Sequence, residues 1–189
     1  MLEEIEKYAE IQNIPIMEKE GINFLTNYIK QENIKNILEI GSAIGYSAIK
    51  MALVNENIKV TTIERDVNRY QIAIKNIIEF NLNNRITIIN KDAFDVNLSE
   101  KYDLIFIDAA KSQSTKFFLK FKDNLNSNGV IITDNIYFHG LTNKDNIESR
   151  NLRQLTRKIR EYIDFLKQNQ DFSTEILNIG DGIAISKRK

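Results

Sequence analysis

Short runs of β-branched residues alternate along this chain with longer stretches of helical period, and this alternation constrains its fold more than any other feature. The pattern is typical of parallel strands joined by crossover helices. Runs such as Leu104 to Ile107 are apolar without alternation, as expected of strands covered by helices on both faces. The predicted strands are Asn36 to Ile40, Lys59 to Ile63, Arg85 to Asn90, Asp103 to Asp108, Gly129 to Thr133, Ser173 to Asn178 and Ile183 to Ser186.

The intervening segments predict helices, and the last turn predicts a change of strand direction. Gly180-Asp181-Gly182 is a tight-turn signal, so the final two strands should pair as an antiparallel hairpin. We therefore expect one α/β domain over residues 1–189: a three-layer sandwich with a mostly parallel, seven-stranded sheet. The predicted helices are Tyr46 to Val54, Asp66 to Phe80, Gln113 to Asn124 and Ser149 to Asn169, with one or two more in an N-terminal helical segment, residues 1–30.

Composition excludes several kinds of site. The chain has no Cys, so it offers no thiolate nucleophile and no cysteine zinc site, and a metal would need oxygen ligands. No apolar run approaches the roughly 20 residues that cross a bilayer, which predicts a cytoplasmic protein without a membrane partner. Lys+Arg and Asp+Glu both number 26, which argues against a protein that coats nucleic acid.

Four arginines nevertheless fall on one stripe of the predicted helix from Ser149 to Asn169. Arg150, Arg153, Arg157 and Arg160 recur at intervals of three, four and three residues. The stripe is either an ordinary solvated helix face or a phosphate-binding edge for RNA. Both interpretations stay open at this point.

A glycine loop follows the first predicted strand. Gly41 and Gly45 would let the chain turn tightly and let a ligand approach the backbone, although a plain strand-to-helix turn would look the same. The spacing departs from the dinucleotide fingerprint Gly-x-Gly-x-x-Gly. Glu39 would repel a pyrophosphate but tolerate a cation, and Glu64, ending the second strand, could accept hydrogen bonds from ribose hydroxyls. A cationic nucleoside such as S-adenosylmethionine fits both acids, so methyl transfer is favoured over hydride transfer.

Acidic residues also follow the next predicted strands. Asp92 could accept from an adenine amino group and Ala93 could offer its backbone N–H. A lone acid at a strand end is usually a helix N-cap. Together, however, Asp108, Asp134 and Asn135 supply three hard oxygen ligands, enough for Mg²⁺ or Ca²⁺ with positions left for water and substrate.

These segments together resemble the magnesium-dependent, catechol-type O-methyltransferases, which have a Rossmann-like class I methyltransferase fold. The resemblance implies S-adenosylmethionine as cofactor, Asp108, Asp134 and Asn135 as Mg²⁺ ligands, and Lys111 as general base beside Asp108. It implies donor contacts from Met17, Glu39, Gly41, Gly45, Ser47, Glu64, Asp92, Ala93 and Asp108. The motifs that carry it are Leu38 to Ser47, Ile63 to Arg65, Phe106 to Lys111, Val130 to Asn135 and Gly180 to Lys187.

Within that family, two N-terminal motifs resemble the bacterial tRNA 5-hydroxyuridine methyltransferases. They are Tyr8 to Glu10 and Ile14 to Lys19, and relatives usually carry another helix ahead of the first. This implies 5-methoxyuridine formation at the wobble base, the tRNA anticodon loop as partner, and a homodimer. A small catechol or a caffeoyl-CoA-like thioester is the alternative substrate, since it also carries oxygens on adjacent ring carbons. A nucleoside- or RNA-binding module without catalysis is a third hypothesis, and His139 is predicted to have a loop or packing role.

Overall fold

The computed structural model describes residues 1–138, 140–143, 147 and 149–189, so the prediction for His139 lies outside the described residues. Its first two strands match the predicted bounds, and the others differ from them by one or two residues, except that the fifth begins at Leu125, four residues ahead of the predicted Gly129. The strands are β1 (Asn36–Ile40), β2 (Lys59–Ile63), β3 (Ile86–Ile89), β4 (Tyr102–Ile107), β5 (Leu125–Thr133), β6 (Phe172–Leu177) and β7 (Ile183–Arg188).

All seven strands form one mixed sheet, which confirms the predicted fold class. The order is β3-β2-β1-β4-β5-β7-β6. The first five strands are parallel, whereas β7 is antiparallel to both β5 and β6. The predicted C-terminal hairpin is therefore confirmed.

Helices cover both faces of this sheet. The elements are α1 (Leu2–Ile11), α2 (Lys19–Gln31), α3 (Tyr46–Ala52), α4 (Val67–Glu79), α5 (Ser114–Phe121) and α6 (Arg150–Gln168). Residues of α1 to α4 pack with one set of alternate strand side chains, and residues of α5 and α6 pack with the other set. The three predicted layers follow from this division.

Side-chain caps explain where two of the six described helices begin. Asp66 begins α4 by accepting from the N–H groups of Asn68 and Arg69, and Ser149 begins α6 by accepting from Leu152. The helix predicted from Gln113 to Asn124 is instead a short α5 flanked by two 3₁₀ turns. In the described part of the chain, no helix is long and apolar enough to cross a membrane.

The topology places the loops with chemical side chains at one edge of the sheet. β1 pairs with β2 on one side and β4 on the other, so the strand order reverses there. Ligands of open α/β sheets bind outside the carboxyl ends of the strands at such a reversal. The Gly41 loop, Glu64, Asp92, Asp108 and Asp134 all follow strands that end at this edge.

Candidate functional site

A cavity of about 560 Å³ opens at the carboxyl edge of the sheet. Its size is in the range of small-molecule sites. The segment from Pro15 to Glu18, ahead of α2, forms one wall, and Met17 of that segment is 4% exposed. The other predicted site residues in the wall are Gly41, Ser47, Glu64, Asp92, Ala93, Asp108, Lys111 and Asn135.

Gly41 is the residue that lets the first loop turn beneath this cavity. Its φ is +98°, and a Cβ built on it would lie 2.2 Å from the carbonyl oxygen of Asp108. No other residue type could hold this conformation without strain. Gly45 has a different role: it is the N-cap of α3 at φ +83°, and a Cβ there would lie 3.3 Å from Ala73 of α4. It sets helix packing and is not part of the cavity wall.

Glu39 is fully buried below the glycine loop and is not part of the cavity wall either. The hydroxyls of Ser47 and Thr62 each donate a short hydrogen bond to its carboxylate. Burial raises the pKa of Glu39 to about 7. The carboxylate therefore positions Ser47 from behind, rather than reaching a ligand directly as the sequence suggested.

This buried acid predicts a specific dependence of stability on pH. Between about pH 4.5 and pH 7 the folded state holds a proton on Glu39 that the unfolded state releases, so its contribution to the free energy of unfolding falls as pH rises. Glu39→Gln removes the titrating group, so the variant does not show this decrease in the free energy of unfolding. The hydroxyls of Ser47 and Thr62 can reorient to accept hydrogen bonds from the amide. We expect the variant's stability relative to wild type to increase by about 2 to 3 kcal/mol from pH 5 to pH 8 in urea unfolding.

The matched control for this measurement is Glu3→Gln, the same chemical change on the exposed surface of α1. Its stability relative to wild type should stay level over the same pH range. A Glu39→Gln difference that is equally flat would show that the buried carboxyl carries no such penalty.

Glu64 is held rigidly at the end of β2. It is 7% exposed, and its two carboxylate oxygens accept from the N–H groups of Ala43 and Asp66, both at 2.8 Å. Each oxygen keeps acceptor capacity toward the cavity. The geometry fits an acceptor for vicinal hydroxyls of a ligand.

An aromatic pair lies beyond Asp92. Asp92 accepts from the N–H of Phe94 and lies 3.7 Å from the Arg65 guanidinium. The rings of Phe94 and Phe117 stack at 4.8 Å and 12°, and both residues line the cavity. This wall was not predicted from the sequence, although Phe94 directly follows the predicted Asp92-Ala93 contact.

The lysine and the two strand-end carboxylates form one cluster. Ile107 of β4 pairs with Thr133 of β5, so Asp108 and Asp134 leave the sheet side by side. Lys111 Nζ lies 2.7 Å from Asp108 Oδ1 and donates to the Asp134 carbonyl oxygen at 3.2 Å. Asp134 lies behind the cavity wall at 4% exposure, and its burial beside Asp108 raises its pKa to about 7.

The loop after β5 is fixed by the hairpin turn ahead of β7. Ile136 N–H donates to the Gly182 carbonyl, and Tyr137 N–H donates to the Asp181 carbonyl. Asn135 adopts a φ of 59° at the start of this loop and lines the cavity. Asp181 lines it as well, a site position that the sequence indicated only as part of a turn.

This cluster fits a hard cation. Among the residues that the structure describes, no group of three or more His, Cys, Asp or Glu side chains is placed to hold a metal, so the Asn135 amide would have to be the third ligand. All the donors are oxygens, the set preferred by Mg²⁺ and Ca²⁺. Burial without a full countercharge disfavours the Asp134 carboxylate, and a cation would remove that penalty.

The arginine stripe lies on the exposed side of α6, and its four residues are not part of the cavity wall. Arg153 donates to the Ile147 carbonyl, Arg160 donates to the Thr142 carbonyl at 2.8 Å, and Arg157 lies 3.4 Å from Glu161. The stripe therefore borders the loop that follows Asn135, near the cavity but outside it.

Comparison with known proteins identifies the family of this chain. A model of the O-methyltransferase family matches residues 1–189. The chain belongs to the O-methyltransferase family. Caffeoyl-CoA O-methyltransferase of Populus kitakamiensis is a family relative, 27% identical over 192 residues that cover 96% of this chain and 81% of that protein.

Solved structures of family members share the fold closely. A Staphylococcus aureus protein assigned as a caffeoyl-CoA O-methyltransferase is 39% identical, with a TM-score of 0.95 and coverage of 100% of this chain and 92% of the other. An O-methyltransferase from Bacillus cereus, solved in complex with SAH, is 26% identical, with a TM-score of 0.86 and coverage of 100% and 90%. The resemblance found in the sequence is thus confirmed at the level of the family, and the tRNA-specific resemblance stays a prediction.

Proposed function

We propose that this O-methyltransferase moves a methyl group from S-adenosylmethionine to one of two oxygens on adjacent ring carbons of a small catechol or a caffeoyl-CoA-like thioester. One observation carries the proposal: Asp108 and Lys111 line the same cavity as Glu64 and the Gly41 loop. The proposed donor site and the acid–lysine cluster are therefore close enough for one bound molecule to contact both. The SAH complex of the Bacillus cereus relative and the caffeoyl-CoA activity named for the Populus relative support this substrate and cofactor class.

The donor's nucleoside would occupy the part of the cavity between β1 and the aromatic pair. Glu64 would accept from its ribose hydroxyls, and the Phe94 and Phe117 rings would lie beside the adenine. Gly41 allows the donor to approach the backbone without a side chain between them. These contacts would orient the sulfonium methyl toward Asp108 and Lys111, which is most of what an in-line displacement needs.

Asp108, Asp134 and Asn135 would hold Mg²⁺, which supplies Lewis-acid polarisation of the substrate hydroxyls when bound. Lys111 is part-buried beside Asp108, and its ammonium can stabilise an anionic oxygen in the cavity. As a neutral amine it would accept the hydroxyl proton. Asp108 fixes the lysine nitrogen at this position in either role.

A second candidate substrate, 5-hydroxyuridine of the tRNA anticodon loop, is favoured by the arginine stripe. Arg153 and Arg160 are anchored to the loop that follows Asn135, so phosphates bound by the stripe would bring a splayed base near the cavity. O4 and the 5-hydroxyl of this base occupy adjacent ring carbons, as in a catechol. The predicted cytoplasmic location and homodimer stay predictions.

Transfer of labelled methyl groups in magnesium buffer tests the proposal. Purified protein is incubated with labelled S-adenosylmethionine and, separately, catechol, caffeoyl-CoA, and tRNA that carries 5-hydroxyuridine. We expect label in catechol or caffeoyl-CoA, and its loss after chelation with EDTA. Label in tRNA alone would favour the second candidate, and no label in any substrate would contradict both.

Charge reversal on the stripe is the control for this experiment. The double variant Arg153→Glu and Arg157→Glu should leave methylation of catechol unchanged, because catechol has no phosphate. If tRNA is the substrate, the same variant should weaken its binding, and wild-type affinity should fall by about 0.7 log unit per log unit of salt for each phosphate neutralised.

A further inference from the structure

The cavity wall that precedes α2 is held only at its two ends. Within the described ranges of the chain, no backbone group of residues 15–17 has a hydrogen-bond partner. The nearest bonds flank this stretch: Ile14 N–H donates to the Ala9 carbonyl of α1, and the Glu18 carbonyl accepts from Ile22 N–H of α2. The position of the wall therefore depends on how α1 and α2 are fixed to the rest of the molecule.

One side chain of α1 makes that connection. Glu6 Oε1 accepts from the Tyr46 hydroxyl at 2.7 Å, and Glu6 Oε2 lies 3.0 Å from Lys19 Nζ. Lys19 is the first residue of α2, and Tyr46 is the first residue of α3. The Glu6 carboxylate therefore joins α1 to the start of α2 and to the start of α3, directly after the glycine loop.

The hydrogen bond from Tyr46 is the stronger of these two contacts. This bond lowers the pKa of the Glu6 carboxyl, so the acceptor is ionised at neutral pH. Hydrogen bonds to a charged acceptor are about twice as strong as those between neutral groups. Tyr46 is buried, whereas the Lys19 side chain is 80% exposed, so the ion pair of Lys19 contributes little.

Met17 carries the position of the wall to the acid–lysine cluster. Its side chain packs against Gly21 of α2, where an added Cβ would lie 3.0 Å from Met17 Cε and 3.9 Å from Asp134 Oδ1. Met17 and Tyr46 belong to the same buried apolar cluster, and both line the cavity. A displaced wall would therefore open the cavity on this side and move Met17 away from Asp134.

We propose that Glu6 is a positioning residue that holds the Met17 wall against the cavity through the hydroxyl of Tyr46. Glu6 is not itself part of the cavity wall, so it acts through Tyr46 and not on a ligand. The inference rests on the proposed function only for the identity of the ligand. A ligand that needs the wall in place binds more weakly as the fraction of molecules with a displaced wall rises.

Methyl NMR of protein labelled at the methionine methyl groups tests this inference without a ligand. The chain has three methionines: Met1 is 60% exposed, Met17 lines the cavity, and Met51 is fully buried in α3. In Glu6→Ala we expect the Met17 signal to broaden or to move toward that of Met1, while the Met51 signal stays in place. Glu6→Gln should keep the wild-type Met17 signal, because its amide oxygen can accept from Tyr46.

Calorimetric titration with S-adenosylhomocysteine measures the consequence for binding. Loss of one hydrogen bond to a charged group shifts a two-state equilibrium by about tenfold. Glu6→Ala should therefore raise the Kd about tenfold, and Glu6→Gln should stay within about twofold of wild type. Tyr46→Phe removes the same bond from the other side, so the double variant with Glu6→Ala should bind no more weakly than Glu6→Ala alone.

The matched control is Glu32→Ala. Glu32 lies at the other end of α2, where its carboxylate is 3.6 Å from Lys187 Nζ, so the variant should change neither the Met17 signal nor the Kd. An unaltered Met17 signal in Glu6→Ala, or a Met51 signal that moves equally, would overturn the inference while leaving the proposed function intact. Failure of the wild-type protein to bind S-adenosylhomocysteine would overturn the proposed function, and the methyl signals would still decide whether Glu6 holds the wall.

Discussion

Replacing Asp134 with asparagine is expected to reduce metal-dependent methyl transfer by at least about 100-fold. The variant keeps the shape of the side chain but removes one of the two carboxylates proposed to hold the cation, and losses of this size follow when a metal site is weakened. The measurement is kcat/KM on the preferred substrate over a range of Mg²⁺ concentrations. The lost activity should return in part at high Mg²⁺.

Stability should move in the opposite direction to activity. Burial beside Asp108 raises the pKa of Asp134 to about 7. In metal-free buffer above that pH, the buried carboxylate therefore lowers the free energy of unfolding. Asp134→Asn should therefore unfold at equal or higher urea concentration than wild type at pH 8. Wild-type activity without added metal in this variant would contradict the assignment of Asp134.

The matched control is Asp103→Asn, at the opposite end of the sheet. The Asp103 carboxylate accepts from the N–H groups of Lys35 and Asn36 and from the Asn126 side chain. Weakening these bonds should lower stability without changing the Mg²⁺ dependence. The two aspartate variants thus separate a residue that serves the site from one that serves the fold.

Replacing Gly41 with alanine is expected to abolish binding of the methyl donor and to destabilise the protein by about 2 kcal/mol or more. The added Cβ would lie 2.2 Å from the Asp108 carbonyl oxygen and 3.1 Å from Ala109 Cα, so the β1 loop and the β4 loop would have to separate. Both loops line the cavity. Urea unfolding and titration with S-adenosylhomocysteine measure the two effects.

Gly140→Ala supplies the control for backbone strain. Gly140 also has a positive φ, +71°, but no described atom lies within 4 Å of its added Cβ. This variant should lose only the stability that the strained φ value costs an alanine, and it should bind S-adenosylhomocysteine normally. If the two glycine variants behave alike, the close approach of Asp108 to Gly41 does not matter.

Much of this site was predictable because strand ends are well marked in the sequence. β1 and β2 match their predicted bounds, and each is followed by residues that cannot continue a buried strand: Gly41 and Glu64. In a parallel sheet such residues must meet at one edge, which is why Asp108, Lys111 and Asp134 come together as expected.

The remaining features depend on packing that periodicity does not encode. Glu39 was expected at a ligand, yet it lies below the loop, where Ser47 and Thr62 from two other elements surround it. Phe117 is buried in the core, and its stack with Phe94 also makes it part of the cavity wall.

The wide separation in sequence between the loop carrying Asn135 and the C-terminal hairpin has a consequence for when the pocket is completed during folding. The loop carrying Asn135 is held by backbone bonds to Asp181 and Gly182, which are more than 40 residues later, and β7 must insert beside β5 before those bonds can form. Pairing over such a separation is slow compared with helix formation. A folding intermediate with its helices and five parallel strands in place, but with the hairpin still unpaired, would therefore lack a finished catalytic pocket.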